Sequence, residues 1–188
     1  MQRMDKKELI LSQAEKLFAE KGYYGLGLSE LLQSCSIPKG SFYYYFPGGK
    51  IQLIQEVLEY SYGRMRAAIE HWAACSASAL ETFTLMADNL TIGIREKRHL
   101  TSMMLSMIAI ESVYLDDEVN QTCKRIYCDW QRFYAECLEH FGCDPAHSRR
   151  KAQALFALIH GSLISSWIKQ DPEDLQLAKQ TLQNILDH

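Results

Sequence analysis

The sequence has no uninterrupted apolar run near the ~18 residues that a membrane-crossing helix needs, and its opening stretch, MQRMDKKELI, is not that of a secretory leader. Those two absences predict a cytoplasmic protein with no membrane partner. There is no phosphate-cradling glycine loop, no H-E-x-x-H and no G-x-S-x-G, so neither catalysis nor a cofactor is expected. The six cysteines, at positions 35, 75, 123, 128, 137 and 143, form no C-x-x-C pair and are expected to be thiols in a reducing compartment. His140, Cys143 and His147 have roughly the spacing of metal ligands, but Gly142 and Pro145 interrupt the helix that would align them, so no metal site is predicted. Positive charge is not in excess either: the formal net charge is −3, unlike that of a protein that simply coats nucleic acid.

What is present is apolar material, 47% of 188 residues, enough for a folded core in one large domain or two small ones. The charge is also unevenly placed. Residues 1–50 hold seven Lys and Arg against five Asp and Glu, whereas the remaining 138 hold 13 against 18. That is a basic head on an acidic body.

The most informative stretch is Leu28–Lys50, LSELLQSCSIPKGSFYYYFPGGK. Pro38 fixes its own φ and drives Ile37 out of the helical region, so a new helix is predicted to start at Pro38. On a helical wheel Phe42, Tyr45 and Phe46 share one side, with Ile37 entering below them, and Gly40 and Tyr44 point the other way. Lys39, Ser41 and Tyr43 flank the outward side. A short helix, a turn and this second helix make a helix-turn-helix. Its outward face suits a nucleic-acid backbone: Gly40 permits close approach, helix-start N–H groups attract phosphate, and Ser41, Tyr43 and Tyr44 offer hydroxyls. Lys39 and Lys50 bracket the unit, and Ser29 lies outward on the preceding helix. The alternative is that the tyrosines merely pack and the lysines are solvated.

The run GYYGLGLSELLQSCSIPKGSFYYYF resembles the DNA-binding segment of the TetR family of bacterial one-component regulators, whose recognition helix ends in an S-K-G-T-L-Y-x-Y-F core. The match extends closely from Glu8 to Leu53. Two departures stand out. Gly27 replaces the threonine that usually starts the second helix, so no side-chain hydroxyl caps it. After Phe46 the chain reads PGGK, one residue longer than usual, which resembles the LmrA-like branch.

Elsewhere the periodicity predicts helices over Lys6–Lys21, ending at Gly22, and over Leu28–Cys35, with Tyr23, Tyr24 and Leu26 sealing the small core between them. From Lys50 the series Ile54, Leu58, Tyr62, Met65, Ile69 and Trp72 describes one long amphipathic helix, broken near Ser76. Helices follow near 79–95, 100–114, 118–141, 146–169 and 172–186, with charged connectors at 95–99 and 116–118. The predicted class is therefore all-α. Residues 1–49 form a three-helix DNA-binding domain, and residues 50–188 a larger domain for ligand binding and dimerisation.

Inward candidates in that larger domain include Leu90, Ile110, Ile126 and Phe133, ordinary core by the bland reading. A subset reads as the wall of a ligand cavity: Phe83, Met86, Met103, Met104, Met107, Tyr127, Trp130 and Tyr134, because clustered methionine beside aromatics adapts its shape. Glu111, inside an apolar run, is either a polar anchor for that ligand or a water-facing residue. The segment ALFALIHGSLISSWI is apolar or small on nearly every side, which suggests a dimer seam with the last helix. Its residues would be Leu155, Leu158, Ile159, Ser162, Ser166, Leu182 and Ile185. The family resemblance implies pairing through the same two helices.

Together these readings predict a homodimeric repressor that binds a palindromic double-stranded DNA operator and is released by a small hydrophobic or amphipathic ligand. Two rivals remain: an all-helical small-molecule-binding protein that keeps the head as a vestige, and a DNA-binding thiol or electrophile sensor acting through cysteine.

Overall fold

The computed structural model describes residues 6–96, 100–114 and 117–187. Among these residues there are nine helices and no strand: α1 Lys6–Gly25, α2 Leu28–Ser34, α3 Lys39–Tyr45, α4 Gly49–Cys75, α5 Ala79–Arg95, α6 Thr101–Ser112, α7 Asp117–His140, α8 Pro145–Lys169 and α9 Glu173–Asp187. The all-α class is as expected. Of the two charged connectors, Lys97, Arg98, His99 and Asp116 lie outside the described residues.

Local chemistry sets the helix ends. Ser78 stops the long α4 from running into α5: its hydroxyl accepts from the Glu81 N–H, and the Glu81 carboxylate accepts from the Ala77 N–H at 2.7 Å. Asp144 caps α8 by accepting from the Ala146 N–H, with Pro145 in the first turn where its missing N–H is harmless. Pro38 sits one residue earlier than predicted. Its ψ of 153° is extended, so it caps α3 instead of opening it, and its carbonyl takes the Phe42 N–H. Helix α1 does not stop at Gly22. It kinks there, with φ 67° and ψ −176°, and continues to Gly25.

Contacts divide the chain into two compact units, one of Met1–Gly63 with Thr101–Ile126, the other of Arg64–Leu100 with Tyr127–His188, each over its described residues. The sequence placed a boundary after Gly49. Packing carries the first unit further, because Leu53, Ile54, Val57 and Leu58 of α4 are all fully buried there.

In the first unit Ile10, Ala14 and Phe18 of α1, Leu31 of α2, and Phe42 and Phe46 of α3 are buried with that stretch of α4 and with Met104, Leu105 and Ile108 of α6. Fully burying each large apolar side chain contributes about 1.5–3 kcal/mol, which holds together helices too short to stand alone. The buried Glu15 carboxylate ties three elements by accepting from Ser61 of α4 and Thr101 of α6, each at 2.9 Å. Two predictions fail in this unit. Ile110 is 66% exposed and Tyr24 is 61% exposed, so neither belongs to the core.

The second unit packs α5, α8 and α9 together. Its buried residues include Phe83 and Leu90, Trp130, Phe133 and Tyr134, Leu155, Ile159 and Leu163, and Leu175 and Leu182.

Candidate nucleic-acid interface

The turn between α2 and α3 is made by Ser36, a non-glycine residue in the left-handed region at φ 51°. The Ile37 N–H returns to the Leu32 carbonyl and the Ser36 N–H to that of Gln33, so the last carbonyls of α2 are satisfied and the chain reverses within three residues. Glycine usually fills this position, so a serine there carries no signal of the turn. Gly27 caps α2 through its backbone alone, as its missing hydroxyl requires.

That turn leaves α3 anchored by Ile37, Phe42 and Phe46, all buried, with the Phe42 and Phe46 rings 5.4 Å apart. The opposite side is open. Lys39, Gly40, Tyr43 and Tyr44 are exposed, Ser41 is half-buried, and Ser29 is exposed on α2. Tyr44 stands 81% exposed, and a Cβ added to Gly40 would meet nothing within 4 Å. Lys39 leans over the Tyr43 ring, its Nζ 6.0 Å from the centroid. This face offers a cation, a bare stretch of helix start and hydroxyls, the parts that hydrogen-bond phosphate and base edges.

Lys50 is placed differently. Gly48 donates its N–H to the Gln52 side chain, and Gly49 turns the chain at φ 69°, with its N–H on the Phe46 carbonyl. The half-buried Lys50 then donates to the Tyr23 carbonyl, with Nζ 4.1 Å from the Tyr23 ring centroid. Burial pushes its ammonium below the ordinary lysine range, partly opposed by the negative charge of Glu111.

The residues read as a ligand wall fall into both units. Phe83, Met86, Tyr127, Trp130 and Tyr134 lie in the second, where Phe83 and Tyr134 meet edge to face at 5.0 Å and the Tyr134 hydroxyl donates to the Met86 sulfur at 3.2 Å. Burial raises the Tyr134 phenol well above its ordinary value. Two residues missed from sequence complete this cluster: Phe156 and His160, one turn apart on α8, stacked at 3.9 Å, with His160 edge-on to Trp130 at 4.3 Å. They lie in the segment assigned to the dimer seam, and their four-residue spacing beside an aromatic cluster was the available signal.

Met103, Met104 and Met107 lie in the first unit, as does Glu111. The half-buried Glu111 carboxylate accepts the Tyr23 N–H at 2.7 Å.

The seam also needs correction. Leu155, Ile159, Ser166 and Leu182 are at most 1% exposed inside one protomer, so they have no surface to offer a partner. Ser166 instead accepts the Leu175 N–H at the turn into α9. Leu158, Ser162 and Ile185 stay half-buried, and Leu158 and Ser162 line a shallow groove with Gly161, Leu177 and Thr181.

No group of three or more metal-ligating side chains occurs among the described residues. Burial raises the thiols of Cys35, Cys123 and Cys137, the last to about 11. No described helix is long and apolar enough to cross a membrane.

Comparison with known proteins agrees with this geometry. Residues 10–57 match the family model for bacterial regulatory proteins of the tetR family, and residues 79–181 match that for the C-terminal domain of LmrA/YxaF-like transcriptional regulators. The HTH-type transcriptional regulator LmrA of Bacillus subtilis is 30% identical over 166 residues, 86% of either chain. A TetR transcriptional regulator from Legionella pneumophila superposes with a TM-score of 0.84 at 22% identity, covering 98% of both chains. The reduced form of Escherichia coli NemR superposes with a TM-score of 0.81 at 23% identity, covering 96% of this chain and 97% of that one. These relatives are regulators and not enzymes, and the chain belongs to the TetR family of helix-turn-helix transcriptional regulators, in its LmrA/YxaF-like branch.

Proposed function

We propose that this regulator is a homodimeric repressor that sets its two α3 helices into successive major grooves of a palindromic operator, about 34–36 Å apart. The observation that carries the reading is the open face of α3: Gly40 and Tyr44 have no packing reason to be there. Lys39 and Lys50 serve phosphate, Gly40 lets the backbone approach, Ser29 adds a minor contact, and Ser41, Tyr43 and Tyr44 choose sequence. The partner copy meets Leu158, Gly161, Ser162, Leu177 and Ile185. A small apolar or amphipathic effector held against the aromatic cluster of Phe83, Tyr127, Trp130 and Tyr134 favours a second state of the dimer and releases DNA, through unequal affinity for the two states.

The test is fluorescence anisotropy with the DNA upstream of the protein's own gene, across a salt series. Lys39→Ala should lower the salt slope by about one counterion. Gly40→Ala should fold at least as well as the wild type, because its methyl meets open space, yet bind DNA about tenfold or more weakly through loss of a charge-assisted backbone contact. Unchanged binding by both variants with the dimer intact overturns the reading.

A thiol sensor is the second reading, favoured by the likeness to NemR, a repressor by name whose structure is that of a reduced form. The raised thiols of Cys35, Cys123 and Cys137 weigh against them as the nucleophile. Replacing the exposed Cys75 and Cys128 and the half-buried Cys143 by serine abolishes release by oxidants if this reading holds.

A further inference from the structure

The kink in α1 has a partner. At φ 67° and ψ −176° Gly22 occupies a region that is essentially closed to other residues. The kink turns the Tyr23 N–H toward Glu111 of α6, which accepts it at 2.7 Å. The second oxygen of that carboxylate lies 2.5 Å from where a Cβ on Gly22 would stand, so glycine is required twice over, by backbone and by space. On the far side of the same residue the Tyr23 carbonyl accepts from Lys50, the first lysine of α4. The Tyr24 hydroxyl also donates to the Tyr114 carbonyl, at 2.8 Å, just beyond α6. The end of α6 is thus fastened twice to the turn that holds Lys50, all within one compact unit.

We propose that Glu111 is a positioning residue of the DNA interface that acts through Lys50, holding its ammonium on the Tyr23 carbonyl in competition with a DNA phosphate. The proposal rests on the reading of Lys50 as a phosphate contact. Glu111 props the acceptor by holding the peptide on the N-terminal side of Tyr23, next to the one whose carbonyl Lys50 meets, and its charge draws the ammonium inward. A donor held by the carbonyl is withheld from phosphate, so the carboxylate restrains affinity without touching DNA. Any shift of α6 that moves Glu111 changes how freely Lys50 reaches outward.

The test is a double-mutant cycle in the full-length dimer, read by anisotropy on the same upstream DNA across a salt series. Glu111→Gln keeps the shape and an acceptor for Tyr23 but removes the charge. It is expected to tighten binding about three- to tenfold and to steepen the salt slope toward one further counterion. In the Lys50→Met background the same substitution is expected to change nothing. A gain of equal size in both backgrounds means general repulsion between carboxylate and DNA and overturns the proposal, as does weaker binding by Glu111→Gln.

A readout without DNA separates the two layers of the argument. In protein carrying ¹³C-methylated lysines, Glu111→Gln should move the Lys50 titration further down, because the carboxylate favours the charged ammonium. A Lys50 titration that stays put overturns the coupling itself. If the titration moves but Lys50→Met leaves both affinity and slope unchanged, the phosphate role of Lys50 is what fails, and the proposal falls with it.

Discussion

Lowering pH should destabilise this protein through one imidazole. His160 is buried on α8, stacked on Phe156 and edge-on to Trp130, and its Nδ1–H donates to the Phe156 carbonyl at 2.9 Å. Its Nε2 is buried with no hydrogen-bond partner, so a proton added there would find no acceptor. Burial holds the pKa down at about 4, against an ordinary 6.5, although the Phe156 carbonyl pulls the other way. The folded-state value is the depressed one, so the unfolded chain takes up the proton first as pH falls. Stability from this site is therefore complete above about pH 6.5, declines by about 1.4 kcal/mol per unit below it, and levels off near pH 4 with a loss on the order of 3 kcal/mol. Urea unfolding at one fixed protein concentration, at intervals from pH 8 to 4.5, measures it; the concentration is fixed because self-association would make stability depend on it. Surface carboxylates titrate in the same range, so the quantity to compare is the difference between wild type and His160→Phe, which keeps the ring and removes the titration. That difference should grow steadily in favour of the variant below pH 6.5. Parallel curves would mean that the folded imidazole takes a proton as readily as a free one, and the burial argument would be wrong.

Gly22→Ala should destabilise the fold by about 1–3 kcal/mol from backbone strain alone, and by more in total because the methyl displaces Glu111 from the Tyr23 N–H. In a Glu111→Ala background, chemical denaturation should show only the strain part. Gly161→Arg, placed where a Cβ meets nothing within one protomer, should give a folded monomer by sedimentation velocity, with operator affinity lost; a dimer of unchanged strength would remove this face from the interface.

Periodicity located most of the described helices and Pro38 the start of α3, and for α5 both ends were found. It failed where a side chain's partner lies far along the chain. Glu111 reads as an isolated charge in an apolar run until Gly22, 89 positions earlier, is seen to kink a helix against it. Lys50 reads as a free cation until the same kink supplies a carbonyl. Helix α8 misled in another way. Apolar residues on nearly every side suggest one dimer seam, whereas the side of Leu155, Phe156, Ile159, His160 and Leu163 is filled within the chain, and the side of Leu158, Gly161 and Ser162 is left open. Amphipathicity says how many faces are apolar and is silent on which neighbour covers each.

The open side of α3 was legible for the opposite reason, since it is made of residues that packing does not use. A seven-residue helix has little stability of its own. Its geometry is imposed by Phe42, Phe46 and Ile37 on one side and by the tight turn at Ser36 on the other. Those residues leave Gly40 and Tyr44 at fixed positions without recruiting them. Fixed, exposed and surplus to the core is the condition for a recognition surface, because contacts then form without first ordering the groups that make them. The rings of the second unit are neither exposed nor surplus to the core: Trp130 and Tyr134 are nearly inaccessible, and a ligand would reach them only by displacing their neighbours. On the proposed reading, the α3 face meets a rigid partner as it stands and the aromatic cluster changes shape when occupied, the division of labour that an effector-released repressor requires.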